Sequence, residues 1–458
     1  MKVPLLFAAL ALPVCFSLSS CTSKEDPPPN VVIVFLDDSG WADFEPFGAT
    51  HHLTPNVAQL AREGTAFHNF YVPQAVCSAS RAALLSGCYP GRTKVFSAHG
   101  PGDLGLDTTF ATLGEVFLKA GYATAAFGKW HIGDRPETRP QARGFQETSG
   151  LMYSNDMWKH HPEHPEYWGQ WPLQYWENGE VTIADVEPAD QKKLTRWYTE
   201  HAVDFIHRHQ KEPFLLYLAH SMPHVPLYVG EAFEGRSGKG RYADVIAELD
   251  WSLGEVTRAL RENGLEDNTL LILTSDNGPW TSYGDHAGFT PYREAKGTSF
   301  DGGVRSACLV KYPGQVPDGL VSDKAWGSVD ILPTLCALAG VPLPANPIDG
   351  MDVWDLIRGV PEAENPHPYY AFSNNSDFEG IMSGDGRWKL HLPHAYRFLD
   401  SAGSGGGAGR YGQAFIDTAL YHLSEDPFET VNVLREYPDI AARLLRLAEE
   451  HKHRFYEE

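Results

Sequence analysis

Val31-Val32-Ile33-Val34-Phe35-Leu36-Asp37-Asp38 decides the architecture. Six apolar residues, most of them β-branched, run without a polar interruption and end at two adjacent carboxylates. A strand with one wet face would alternate polar and apolar residues. An unbroken run is expected where both faces are covered, as in a parallel sheet. Similar runs recur at Ala123–Phe127, Phe214–Ala219 and Leu270–Thr274, and Ala66–Val72 reads as another strand. Helical patterns lie between them: Thr54–Glu63, with Thr54 as its expected cap and Pro55 at the first helical position, then Thr112–Ala120, Gln191–His209 and Tyr242–Glu262. Strands alternating with helices predict an α/β fold, a mostly parallel central sheet sandwiched by helices.

The rhythm is broken twice. Residues 150–190, rich in Trp, Tyr, His and Pro, read as an insertion, and near residue 365 the alternation stops. The stretch 366–458 holds short strand-like segments, a Gly/Ser-rich loop at Ser401–Gly409 and an amphipathic helix over Pro438–Arg454. It is expected to be a smaller C-terminal α+β subdomain beside a catalytic domain over 31–365.

The chain has 458 residues, 42% of them hydrophobic, enough for more than one core. Its formal net charge of -22 argues against nucleic-acid binding, which needs a basic footprint. A local cluster of cations can still draw an anion into one pocket. The six cysteines form no CxxC pair, which points to neither zinc nor a disulfide framework, and Cys308 and Cys336 sit in apolar runs as core residues do. Met1-Lys2, an apolar stretch from Leu5 to Leu18, and Leu18-Ser19-Ser20-Cys21 resemble the signal peptide (1–20) and lipobox of a bacterial lipoprotein. Cys21 would be the lipidated mature N-terminus, 21–30 a linker stiffened by Pro27-Pro28-Pro29, and Thr22–Asp26 resembles an acidic surface-export tag. The expected location is the periplasm or cell surface, with the membrane met only through that lipid.

Ligands of open α/β sheets bind beyond the carboxyl ends of the strands, and the charged residues collect there. Asp37-Asp38 follows one strand and Asp276-Asn277 another; four oxygen ligands without His or Cys suit Ca²⁺ or Mg²⁺ rather than zinc. Asp-Asp-Ser-Gly is equally good turn chemistry. Lys129 and His131 follow Ala123–Phe127; His224 sits in the Pro-stiffened His220–Pro226; Lys296 precedes Asp301-Gly302-Gly303. Cys77-Ser78-Ala79-Ser80-Arg81 opens a helix, where free N–H groups favour an anion, and puts Arg81 on the face of Cys77.

The run from Cys77 through Arg81 to Leu85-Ser86-Gly87 resembles the sulfatase signature C-x-P/A-x-R, and Asp37-Asp38, Lys129, His131, His224, Asp276-Asn277 and Lys296 fall in that family's order. The likeness is closest to the arylsulfatase A-like, formylglycine-dependent type of the alkaline phosphatase superfamily. It implies that Cys77 becomes 3-oxoalanine (formylglycine), whose hydrate attacks sulfur. It implies a Ca²⁺ held by Asp37, Asp38, residue 77, Asp276 and Asn277. Lys129 and Lys296 would hold the sulfate, His224 would protonate the leaving alcohol, His131 would take a proton as sulfate is released, and Arg81 would anchor residue 77. Ser154, in Tyr153-Ser154-Asn155-Asp156, resembles a substrate-contacting serine. Ala79 stands where many members have Pro, which points to a radical-type formylglycine-generating maturase as partner. A sulfated carbohydrate is the expected substrate. The aromatics between Tyr153 and Trp176 read equally as sugar-stacking rings or as the insertion's own core. The rival functions are a phosphonate or phosphodiester hydrolase of the same superfamily, and a glycan-binding lipoprotein with an inactive site.

Overall fold

The computed structural model describes Pro4 and residues 27–457; the lipobox, Cys15 and Cys21 lie outside the described residues. An eleven-stranded sheet forms the centre. Its middle is parallel: Thr269–Ser275, Asn30–Leu36, Phe214–Ala219, Ala123–Lys129 and Glu147–Leu151 lie side by side in that order. Ile33 pairs with Tyr217 on one side and Ile272 on the other, and Val31 to Leu36 are all buried, which is the burial that their unbroken apolar run requires. Arg305–Lys311 enters antiparallel between Thr269–Ser275 and Thr65–Tyr71, so the sheet is mixed.

Helices flank it. Pro55–Arg62 and Leu194–Arg208 both pack on the 22-residue Arg241–Glu262, while Leu113–Lys119 and Ile331–Ala339 both pack on Cys77–Ser86. Thr112 caps its helix through a reciprocal box with Glu115. Thr54 does not cap Pro55–Arg62 with its side chain; its hydroxyl accepts from the Glu45 backbone N–H instead. The helix expected over Gln191–His209 is divided into Pro188–Gln191 and Leu194–Arg208.

Between residues 150 and 190, two short strands, Tyr175–Glu177 and Glu180–Ile183, extend the edge of the main sheet. Trp158 and Tyr175 are wholly buried and Tyr153 nearly so; they belong to the core. Tyr167 is 56% exposed, and Trp168 and Trp171 are half-buried. Part of this aromatic set is therefore the insertion's own core, and part is left at the surface.

The C-terminal part builds a second, antiparallel sheet from Tyr369–Asn374, Asp377–Ser383, Trp388–His391 and Ala419–His422, packed by the helix Pro438–Phe455. A separate hairpin, His394–Ser401 with Arg410–Ile416, closes through the Gly/Ser-rich loop. A buried polar cluster joins the two parts. Lys389 Nζ lies 2.6 Å from Asp301 Oδ1, Glu429 accepts from the Asp301 backbone N–H at 2.7 Å, and His391 Nε2 lies 2.8 Å from Glu429. Cys77, Cys88, Cys308 and Cys336 are buried and free. Among the described residues no helix is long and apolar enough to cross a membrane.

The chain enters the first strand from a point fixed by Asn268, whose amide donates to the carbonyls of Pro27 and Pro28 at 3.4 and 3.1 Å. That point lies at the amino ends of the parallel strands.

Candidate active site

At the opposite, carboxyl ends, the charged residues converge. Asp37 and Asp38 leave Asn30–Leu36, with Asp38 at φ 64°, a left-handed conformation costly for a residue with a side chain. Its backbone N–H is held by Asp276 Oδ1 at 3.1 Å, across from the neighbouring strand. Asn277 Nδ2 donates to Asp38 Oδ1 at 2.7 Å, which leaves Asn277 Oδ1 buried without a partner. Gly128 allows Ala123–Lys129 to run close beside Phe214–Ala219 here: a side chain at 128 would meet the Ala219 carbonyl. Lys129 then ends its strand pointing at Asp37, to which it donates, with Ser154 Oγ 3.2 Å away.

Cys77 stands at the first position of the ten-residue helix Cys77–Ser86 and is buried. Its Sγ lies 3.4 Å from Asp37 Oδ1, 4.0 Å from Asp38 Oδ1 and 3.4 Å from Lys296 Nζ. Lys296 Nζ is also 2.8 Å from both oxygens of Asp38. Arg81, one turn along the helix, is fully buried and binds Asp276 Oδ2 through Nε and Nη2 at 3.2 and 2.9 Å and the Lys129 carbonyl through Nη1 at 2.9 Å. Its hydrogen bonds thus go to the floor of the site, not to the Cys77 thiol. His224 Nε2 lies 3.5 Å from Asp38 Oδ2, while its Nδ1 faces the Val225 carbonyl. His131, at φ 63°, directs Nε2 to the His99 carbonyl at 2.9 Å, which makes Nδ1 the lone-pair nitrogen; that atom is buried and unpartnered. Every residue singled out for the site is brought to this one place.

The sulfatase family model matches residues 29–341. The chain belongs to the sulfatase family. Bovine arylsulfatase A is 34% identical over 456 residues, covering 92% of this chain and 86% of its own length. Human N-acetylgalactosamine-6-sulfatase is 34% identical over 364 residues, 75% of this chain and 68% of its own. Among solved structures, Ps i-CgsB in complex with k-i-k-neocarrahexaose is 26% identical, covers 94% of both chains and superposes with a TM-score of 0.78. The PsFucS1 sulfatase from Pseudoalteromonas sp., at 24% identity, shares the fold with a TM-score of 0.83 over 94% of this chain and 92% of its own. The reaction class is sulfate ester hydrolysis.

Electrostatics in this sulfatase follow from crowding. Three carboxylates, Asp37, Asp38 and Asp276, face three cations, Arg81, Lys129 and Lys296, all away from water. Burial would raise the Asp37 carboxyl, but Lys129, His224, Arg81 and Lys296 together hold it well below the usual carboxylate range. Burial and the neighbouring Asp37 charge push Asp276 up to about 7, against the pull of Arg81. Burial drives the Cys77 thiol well above its ordinary value despite both lysines, so the unmodified side chain is a neutral thiol. Burial, with Lys129 and Arg81, pushes His131 well below an ordinary histidine, and burial with Lys296 lowers His224.

Several participants carry no sequence signal. Trp280 lies under Lys296, 4.4 Å from Nζ to the ring centre, and meets the His224 ring edge-on at 5.5 Å. His99 sets the tautomer of His131 through a backbone carbonyl, which no side-chain motif can advertise. Arg397 comes from the C-terminal hairpin, a hundred residues beyond the Lys296 it touches.

Proposed function

We propose that this sulfatase hydrolyses sulfate monoesters of a carbohydrate, with residue 77 as formylglycine and a Ca²⁺ ion at the aspartates. The observation that carries the proposal is the buried convergence of Asp37, Asp38, Cys77 and His224, whose ligand atoms all lie within 4.8 Å of one another. The donor set fits the ion. Asp37, Asp38, Asp276 and Asn277 offer oxygen, and Asn277 Oδ1 is buried and orphaned. When bound, calcium supplies Lewis-acid polarisation of the sulfate oxygens. Formylglycine supplies, as its hydrate, the hydroxyl nucleophile that the neutral thiol of Cys77 lacks.

The chain's own residues do the rest. Lys129 and Lys296 flank position 77 and stabilise the charge of the sulfate as it is attacked. His224 keeps its Nδ1 proton on the Val225 carbonyl, so it acts as an acid only as the imidazolium, which the bound sulfate's negative charge favours against Lys296; from Nε2 it then protonates the departing sugar oxygen. His131 Nδ1, kept unprotonated by burial and by the His99 contact at Nε2, accepts a proton from the remaining hydroxyl of residue 77 as sulfate leaves. Arg81 fixes Asp276 and the end of the Lys129 strand. Ser154 bears on the substrate beside Lys129.

A carbohydrate substrate is supported by two relatives: N-acetylgalactosamine-6-sulfatase by its name, and Ps i-CgsB by the neocarrahexaose in its complex. The proposal extends to a lipid on Cys21, placing the enzyme at the periplasm or cell surface, and to a radical-type maturase acting on the Ala79 motif. The test is release of inorganic sulfate by the matured protein from a panel of sulfated oligosaccharides, alongside a phosphodiester of matched leaving group. Preferred turnover of the phosphodiester would move the function to the neighbouring hydrolases.

A further inference from the structure

We infer that Asp156 is a specificity-determining residue, whose carboxylate accepts a hydrogen bond from an O–H or N–H group of the leaving sugar close to the sulfated carbon. The inference rests on the proposed carbohydrate substrate and adds to it the chemistry that must flank the ester.

Asp156 follows the carboxyl end of Glu147–Leu151, two residues beyond the Ser154 that touches Lys129. It is 6% exposed. Among the described residues, its Oδ1 is the one carboxylate oxygen that is buried with no hydrogen-bond partner. An orphaned charged acceptor is far costlier than an orphaned hydroxyl, because it forfeits its hydration. Its other oxygen has a histidine nearby. His161 Nδ1 accepts from the backbone N–H groups of Glu163 and His164 at 3.0 and 2.9 Å, so the ring proton sits on Nε2, 3.6 Å from Asp156 Oδ2. The carboxylate thus has a ring N–H near one oxygen and no partner at the other.

The surrounding wall connects it to the leaving-group side of the site. Glu163, beside His161, accepts from the Tyr283 hydroxyl at 3.1 Å. Tyr283 packs edge-on against Trp280 at 5.1 Å, and Trp280 against His224 at 5.5 Å. A buried, unpaired acceptor two residues from Ser154 and joined through this wall to His224 would read a donor on the neighbouring carbon of that sugar. A site built to accept such a bond discriminates strongly against an analogue lacking the donor, because the buried acceptor is then left unpaired.

The experiment compares the matured full chain with its Asp156→Asn and Asp156→Ala variants on two probes: the sugar sulfate it turns over best, and p-nitrophenyl sulfate, which has no donor beside the ester. The ratio of kcat/KM, sugar over aryl, should fall by roughly tenfold to a hundredfold in Asp156→Ala. Monodeoxy analogues of that sugar should include one on which the wild type loses a similar factor and Asp156→Ala loses little more. Equal losses on both probes would assign Asp156 a structural role only, and no loss on either would remove it from the site; both overturn the inference. A wild type inert toward every sulfate ester would instead overturn the proposed function.

Discussion

The backbone carbonyl of Lys296 is held by the guanidinium of Arg397, which donates to it through Nε at 3.2 Å and through Nη2. The arginine stacks on Tyr411, 4.4 Å from its ring centre, within the same hairpin. Gly297, at φ 77°, leaves the room: a side chain there would meet the Arg397 guanidinium. The C-terminal hairpin thereby sets the height of the lysine that touches both Asp38 and Cys77. Charge-assisted hydrogen bonds of this kind contribute about 1.5–3 kcal/mol. Arg397→Ala should lower kcat by roughly tenfold or more with a smaller change in KM, and Arg397→Lys should recover part of the loss. Steady-state kinetics on one soluble sulfate ester decide it; a wild-type kcat in Arg397→Ala would break the link.

Asp276 is bound by Arg81 and holds the Asp38 backbone, so its removal disturbs both sides of the proposed ion site. Asp276→Ala should reduce turnover by several orders of magnitude while far-UV circular dichroism stays native. Chelation should inactivate the wild type, and Ca²⁺ should restore it. Full activity in an exhaustively chelated, metal-free sample would refute the calcium assignment.

Protein produced without a maturase should keep Cys77 as a thiol, fold with the same thermal transition and turn over almost nothing. Co-expression with a radical-type maturase should restore activity, with the aldehyde or its hydrate visible by mass spectrometry of the peptide around residue 77. Cys77→Ala should remain inactive under both conditions. Full turnover by a preparation whose Cys77 is wholly thiol would end the proposed mechanism.

Burial alone would raise the Glu429 carboxyl, but Lys389 and His391 hold it down at about 2. An unfolded glutamate titrates at about 4.3. A carboxyl depressed by folding favours the native state when ionised, so its contribution is complete above about pH 4.3 and is lost as pH falls toward 2. Glu429→Gln should be less stable than wild type at pH 7, with the gap narrowing between about pH 4.5 and 2. Urea unfolding at several pH values measures this. A gap independent of pH would mean that Glu429 acts through packing alone.

Cys21→Ser should move the protein from the membrane fraction to the soluble one without changing its kinetics. Unaltered membrane association would exclude the anchor at that residue.

Much of this was legible because certain positions leave the chain little choice. Val31–Leu36 cannot be wetted on either face, so its place in a parallel sheet and the position of Asp37 at a strand end were both readable. The helix opened by Cys77 and the capped helix after Thr112 likewise announced themselves. Thr54 misled, since a hydroxyl before Pro is a cap by local rules, yet Glu45, brought alongside by tertiary structure, took its bond. The hairpin carrying Arg397 has alternately exposed, half-polar strands that resemble loop, and its meaning lies in a contact with a residue far away in sequence. Trp280 and Asp156 act through geometry that no spacing encodes.

The Asn268 clasp on Pro27 and Pro28 and the Cys77 cluster lie at opposite ends of the first strand, whose seven residues span roughly 20 Å. A lipid on Cys21 would therefore pull on the back of the molecule. The catalytic mouth would face outward, free to meet polymer chains arriving from the medium instead of esters lying in the bilayer. Tethering of this kind acts as a stalk, and moving the tether to the C-terminal helix should blunt attack on long polymers while sparing small esters.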